Sequence, residues 1–125
     1  MRLLLDTSIA LWVAADSPRL SEAARQEIEG AEAVFVSSMS VWEMAIKARL
    51  GKLRVDFGRL LPRLEATGIR ELAVTWRHAT AVRSLADHHR DPFDRMLIAQ
   101  AITEPLRLIT SDAQLCAYSE LVMLV

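Results

Sequence analysis

Short apolar runs bounded by polar residues alternate along this chain with longer segments whose apolar positions recur every three or four residues. Arg2 to Leu5 is a short apolar-leaning run of the kind found in a strand buried on both faces of a parallel sheet, and it stops at Asp6. Thr7 and Ser8 can cap a helix to about Ala15, with Ile9, Leu11, Trp12 and Val13 on its buried side, until Ser17-Pro18 ends it. Ser21 begins a second helix, with Glu22 in the first turn and Gly30 placed as its C-terminal cap. Ala33 to Ser37 reads as a strand, and Ser40 to Leu50 as a helix closed by Gly51.

Asp56 to Thr67 is helical but interrupted by Pro62, and Gly68 ends it. Glu71 to Thr75 is strand-like, Trp76 to Ala86 helical, and His88 to Asp91 a polar connection. A helix from Pro92 to about Ile102 follows, closed by Pro105. Leu106 to Thr110 is a strand, Ser111 to Tyr118 a short helix and Leu121 to Val125 a last strand. Strands alternating with helices predict an α/β sandwich with a mostly parallel sheet.

Composition narrows the class. The chain has 125 residues, 52% hydrophobic and 25% charged, which suits one globular domain over 1–125 with a sizeable core. No apolar run approaches the roughly 20 residues of a membrane span. The opening MRLLLDTS is too short and too soon broken by Asp6 for a signal peptide, so the expectation is a cytoplasmic protein. Lone Cys116 can form no internal disulfide or cysteine zinc site and reads as a small buried hydrophobe. The net charge of -1 excludes a general polycation, so any nucleic-acid contact must be local.

The chemistry lies in where the acids fall. Asp6 ends the first strand, Glu43 sits in the helix after the second, and Asp112 ends the fourth; right-handed crossovers bring these points to one edge of the sheet. Asp94 joins them if its helix starts there. Each has a purely structural alternative. Ser40 to Glu43 fits a capping box, Glu43 can pair with Lys47, Asp91-Pro92-Phe93-Asp94 fits a helix start, and Ser111 or Asp112 can cap the next helix. Asp6 is the exception, because capping by Thr7 or Ser8 leaves it little to do and a buried charge needs a partner. Four convergent carboxylates repel unless a cation holds them, and all-oxygen ligands select Mg²⁺ or Mn²⁺. Such ions, with helix N-termini attracting an anion, suit hydrolysis of a phosphodiester.

With these residues in place, the chain resembles a PIN-domain ribonuclease of the VapC toxin type. The matching pieces are LLLDTS, SVWEMAIK, DPFDRMLIAQA and LITSDAQ, four motifs in order across nearly the whole length. The resemblance implies a PIN-like three-layer sandwich with a five-stranded parallel sheet, and a Mg²⁺- or Mn²⁺-dependent endoribonuclease. It also implies homodimerisation and neutralisation by a small antitoxin. By position Asp6, Glu43 and Asp94 match the family's three acids and Asp112 its more variable fourth, with Thr7 and Ser111 beside them. The alternative is a catalytically silent PIN-fold binding module.

Other features weigh less. The basic stretch Lys47, Arg49, Lys52, Arg54, Arg59 and Arg63 is either an RNA contact or an ordinary solvated face. Arg90 and Arg95 flank the acids and are candidates for phosphate contacts, though Arg95 can instead pair with Asp91. His78, His88 and His89 lack a metal-ligand spacing and read as structural or surface. Trp12, Trp42, Trp76 and Phe93 can stack on bases, but Trp12 and Trp42, with apolar neighbours at helical spacing, read as core.

Overall fold

The structure is a computed structural model and describes residues 1–88 and 90–125. Five strands, β1 (Arg2–Leu5), β2 (Ala33–Ser37), β3 (Arg70–Leu72), β4 (Arg107–Thr110) and β5 (Val122–Leu124), form one sheet in the order β3-β2-β1-β4-β5. All four pairings are parallel. The helices are α1 (Thr7–Ala14), α2 (Glu22–Glu29), α3 (Ser38–Arg49), α4 (Phe57–Ala66), α5 (Trp76–Ala81) and α6 (Pro92–Thr103). Short 3-10 turns cover Val82–Ser84 and Ala113–Ala117.

The run of three leucines in β1 explains the layering. Successive strand residues face opposite ways, so Leu3 and Leu5 pack with Ile9, Ala24, Leu60 and Leu64 on one face, while Leu4 packs with Leu97, Ile98 and Ala101 on the other. β2 and β4 divide in the same manner, with Val34, Val36 and Ile109 on the first face and Leu108 on the second. The predicted α/β sandwich with a parallel sheet is what the chain forms. No helix among the described residues is long and apolar enough to cross a membrane.

The chain leaves β1 toward β2 and β3, then returns to β4 on the other side of β1. The order reverses between β1 and β4, and in open parallel sheets that reversal opens a crevice at the C-terminal strand ends. Register is tight there: Leu5 lies opposite Ile109, and the Asp6 N–H donates to the Ile109 carbonyl at 3.0 Å. Asp6 and Thr110 therefore emerge side by side.

Several boundaries differ from expectation. α3 starts at Ser38, with no loop after β2 and Ser37 as its cap, so Ser40 lies inside the helix and the expected Ser40–Glu43 capping box does not form. The helix expected over Trp76 to Ala86 is α5 followed by a 3-10 turn, and β3 is shorter than Glu71 to Thr75. Pro62 is accommodated within α4. Cys116 is exposed rather than buried.

Candidate active site

Asp6 is both the last residue before α1 and its N-cap. Its backbone is extended (φ -70°, ψ 169°), and Oδ1 accepts the Ile9 N–H at 2.8 Å. Neither Thr7 nor Ser8 caps this helix, which corrects the expectation that Asp6 had no capping role. The other oxygen, Oδ2, accepts the Thr110 hydroxyl at 2.5 Å. Thr110 is fully buried, and its Oγ1 also accepts the Asp112 N–H at 3.1 Å. One hydroxyl at the end of β4 thus fixes the acid of β1 and the backbone of the acid after β4.

Glu43 reaches the same crevice from α3. Its Oε1 lies 2.7 Å from Thr7 Oγ1, which is also 3.0 Å from Ser40 Oγ. A hydroxyl has one proton, so Thr7 donates to the carboxylate and accepts from Ser40. Glu43 Oε2 accepts from Lys47 Nζ at 2.5 Å, the pairing that the i, i+4 spacing allowed. Both carboxylates are nearly inaccessible, Asp6 at 7% and Glu43 at 5% exposure.

Burial pushes the Asp6 carboxyl up from its ordinary pKa; the bonds from Thr110 and Ile9 pull it back, and the charges of Glu43 and Asp112 push it up again. The net displacement is upward. Lys47 is also displaced upward, first by its hydrogen bond to Glu43 and, against a smaller opposing effect of burial, by the charges of Glu43, Asp91 and Asp94. These influences tie the acids into one electrostatic group: Asp6 with Glu43 and Asp112, Lys47 with Glu43, Asp91 and Asp94.

Asp91 caps α6, its Oδ1 accepting the N–H groups of Phe93 at 2.9 Å and Asp94 at 3.3 Å, with Pro92 in the first turn. Half-buried Asp94 follows in that turn. Asp112 caps the 3-10 turn after β4 through the Gln114 N–H at 3.0 Å. Most of these acids are therefore caps and neighbours in one crevice at once.

An all-oxygen donor set suits a hard divalent cation, and the Lys47 ammonium on Glu43 already puts a positive charge where such an ion would be needed. Among the described residues no three acid, histidine or cysteine side chains stand close enough to ligate one ion as they are. A metal would have to draw the carboxylates in and displace Lys47 from Glu43. The donor chemistry fits such an ion, while the described side chains are not spaced to ligate it.

The supporting residues divide. Thr7 orients Glu43, as above. Ser111 is exposed at the turn between Thr110 and Asp112. Arg95, expected beside the phosphate, donates to the carbonyls of Ala86 at 2.9 Å and Val82 at 3.4 Å and to the Tyr118 hydroxyl at 3.2 Å. It fastens the 82–86 segment and Tyr118 to α6. In the basic stretch, Arg59 lies 3.6 Å from Asp56 and Arg63 donates to the Ala14 carbonyl, in keeping with a solvated face. His78 is a buried structural residue: Nδ1 accepts the Thr75 N–H at 3.0 Å, which leaves Nε2 to donate to Glu104 at 2.5 Å. His88 packs edge-on against Tyr118, and His89 lies outside the described residues. Trp42 is 60% exposed, not core, and meets Phe93 edge to face.

Sequence reasoning missed Thr110 and Ser40. The only signal for Thr110 was a polar residue ending an apolar strand two positions from a candidate acid. For Ser40 it was a serine at helical spacing from Glu43.

A family model described as PIN domain matches residues 3–121. The chain is 36% identical over 115 residues to Ribonuclease VapC22 of Mycobacterium tuberculosis, covering 90% of this chain and 88% of that protein. Among solved structures it superposes on VapBC2 from Rickettsia felis, bound to a promoter DNA fragment, with a TM-score of 0.70 at 13% identity, covering 100% and 98% of the two chains. A toxin-antitoxin complex from Klebsiella pneumoniae gives 0.67 at 18% identity, over 97% and 95%. FitAcB from Neisseria gonorrhoeae gives 0.58 at 23% identity, over 90% and 89%.

Proposed function

The chain belongs to the PIN-domain family, in its VapC type, and from that premise we propose that it is a metal-dependent endoribonuclease toxin held in check by a cognate antitoxin. The observation that carries the reading is the pair of nearly inaccessible carboxylates, Asp6 and Glu43, delivered from two different elements to the crevice between β1 and β4. Burial leaves the Asp6 charge disfavoured in spite of its hydrogen bonds, and Glu43 is held beside it through Thr7 and Lys47, an arrangement for which a binding or catalytic role supplies the reason.

In this reading Asp6, Glu43, Asp94 and Asp112 hold Mg²⁺ or Mn²⁺, and such an ion supplies the positive charge that builds stabilisation into phosphodiester hydrolysis. The chain's own groups set the stage. Thr110 and the Ile9 N–H hold Asp6 in one rotamer, and Thr7 holds Glu43. The N-termini of α1, α3 and α6 follow or flank these acids and place positive dipole ends near an RNA phosphate. Lys47, paired with Glu43, keeps a cation at the same edge. The likeness to a toxin-antitoxin complex from Klebsiella pneumoniae supports an antitoxin partner. Exposed apolar residues such as Val74, Trp76 and Ile102 offer surface for it or for a second copy in a homodimer.

The test is incubation of a mixed cellular RNA pool with the purified protein and Mg²⁺ or Mn²⁺, beside Asp94→Asn and a chelated control. Discrete fragments that require both metal and intact Asp94 support the reading. Equal behaviour of wild type and variant would leave an inert fold.

A further inference from the structure

Two aromatic residues stand immediately before two of the acids: Trp42 before Glu43, and Phe93 before Asp94. Successive helical residues are about 100° apart, so Trp42 lies on the flank of the α3 face that carries Glu43. Its ring meets that of Phe93 across the seam between α3 and α6, with centroids 5.5 Å apart and planes at 72°. That edge-to-face contact fixes the indole against one partner while Trp42 stays 60% exposed, so a broad part of its surface faces solvent, one residue from Glu43 in the chain and against the residue that precedes Asp94. An exposed indole face gains by being covered with something flat and apolar. The natural cover is a group that arrives together with a phosphate.

Resting on the ribonuclease reading above, we propose that Trp42, braced by Phe93, is a stacking platform for an unpaired nucleobase next to the scissile phosphate. Every base has a π-face, so the platform is indifferent to base identity and selects unpaired over paired RNA. Base pairing hides the faces that stacking needs. The specificity it confers is for strand state, and sequence preference must come from elsewhere.

The experiment uses the full chain and a 12-nucleotide unpaired RNA centred on a cut mapped in the cellular pool, with a matched oligonucleotide lacking the bases that flank the cut. Trp42→Ala should raise KM on the unpaired RNA about 5- to 100-fold, with kcat within about twofold, and Trp42→Phe should recover most of the loss. Removing the flanking bases should reproduce the effect in wild type and add little in Trp42→Ala, because both remove the same contact. In a Trp12→Phe, Trp76→Phe background, where only Trp42 emits, unpaired A12 RNA in chelated buffer should quench the fluorescence and the abasic chain should not. Unchanged KM in Trp42→Ala together with unquenched emission overturns the proposal, as does a variant that changes only self-association. If wild type cleaves nothing, the nuclease reading has failed, and the A12 titration alone decides whether Trp42 stacks.

Discussion

Replacing Asp6 with asparagine should stabilise the metal-free protein. The carboxylate is 7% exposed, and removing a charge from water costs several kcal/mol in real proteins. Two hydrogen bonds to the charged form, from Ile9 at 2.8 Å and Thr110 at 2.5 Å, each return about 1.5–3 kcal/mol, while Glu43 and Asp112 add repulsion. The balance leaves the pKa above its ordinary 3.8, so the charged form is a net cost to the fold. Asparagine keeps the shape and the capping oxygen and discards the charge; its Nδ2 then faces Thr110 Oγ1, which must accept that N–H instead of donating to a carboxylate. We expect a gain on the order of 1 kcal/mol at pH 7, or roughly 3–6 °C in Tm for a chain of this size. The sign with pH is fixed by the raised folded pKa. Stability from the protonated carboxyl is full below about 3.8 and is lost as pH rises through the folded value, so the advantage of the variant is largest near neutrality and closes toward pH 4. Thermal and urea unfolding in chelating buffer at pH 4, 5.5 and 7 measure this directly. An Asp6→Asn protein less stable than wild type at pH 7, or a gap that does not narrow with acid, refutes the reasoning.

Thr110→Val keeps the volume but removes the donor to Asp6, and should cost about 1.5–3 kcal/mol at pH 7, read by urea unfolding, with the loss shrinking as Asp6 is protonated. Lys47→Met should tighten Mn²⁺ binding by roughly two- to fivefold in a calorimetric titration, because the ammonium competes for Glu43; weaker binding would show that Lys47 organises the acids instead. His78→Ala removes a buried ring and leaves the Thr75 N–H without its acceptor, so unfolding should become easier by about 2–4 kcal/mol while metal-dependent cleavage by the folded fraction is kept.

The layers were legible because Leu3-Leu4-Leu5 and Ala33 to Ser37 carry their own pattern, and crossover handedness assigned Asp6, Glu43 and Asp112, at two strand ends and in one helix, to a single edge of the sheet, with Asp94 joining only if its helix starts there. Register was not legible. Thr110 matters because Leu5 sits opposite Ile109, a fact set by packing between strands more than a hundred residues apart in sequence. The caps misled for a related reason. Ser37, Ser38 and Ser40 are equivalent as local signals, and the choice of Ser37 follows from where β2 ends in the sheet. At the first helix the hydroxyls of Thr7 and Ser8 looked the better caps, yet the strand delivers Asp6 at the half-turn where a capping oxygen is needed. Trp42 has apolar neighbours at helical spacing, and periodicity cannot tell a core residue from one turned to the rim of a site.

The double duty of Asp6 also bears on how such a protein could age in evolution. A lineage released from catalysis gains stability by losing the charge, but a change to alanine would strip α1 of its cap, worth about 1 kcal/mol, and leave the Ile9 N–H unsatisfied. Asparagine sheds the charge and keeps the cap. Descendants that no longer cut RNA are therefore steered to neutral capping residues, asparagine and serine among them, and a polar residue persisting at this position would record the demands of a helix long after those of an enzyme had ceased.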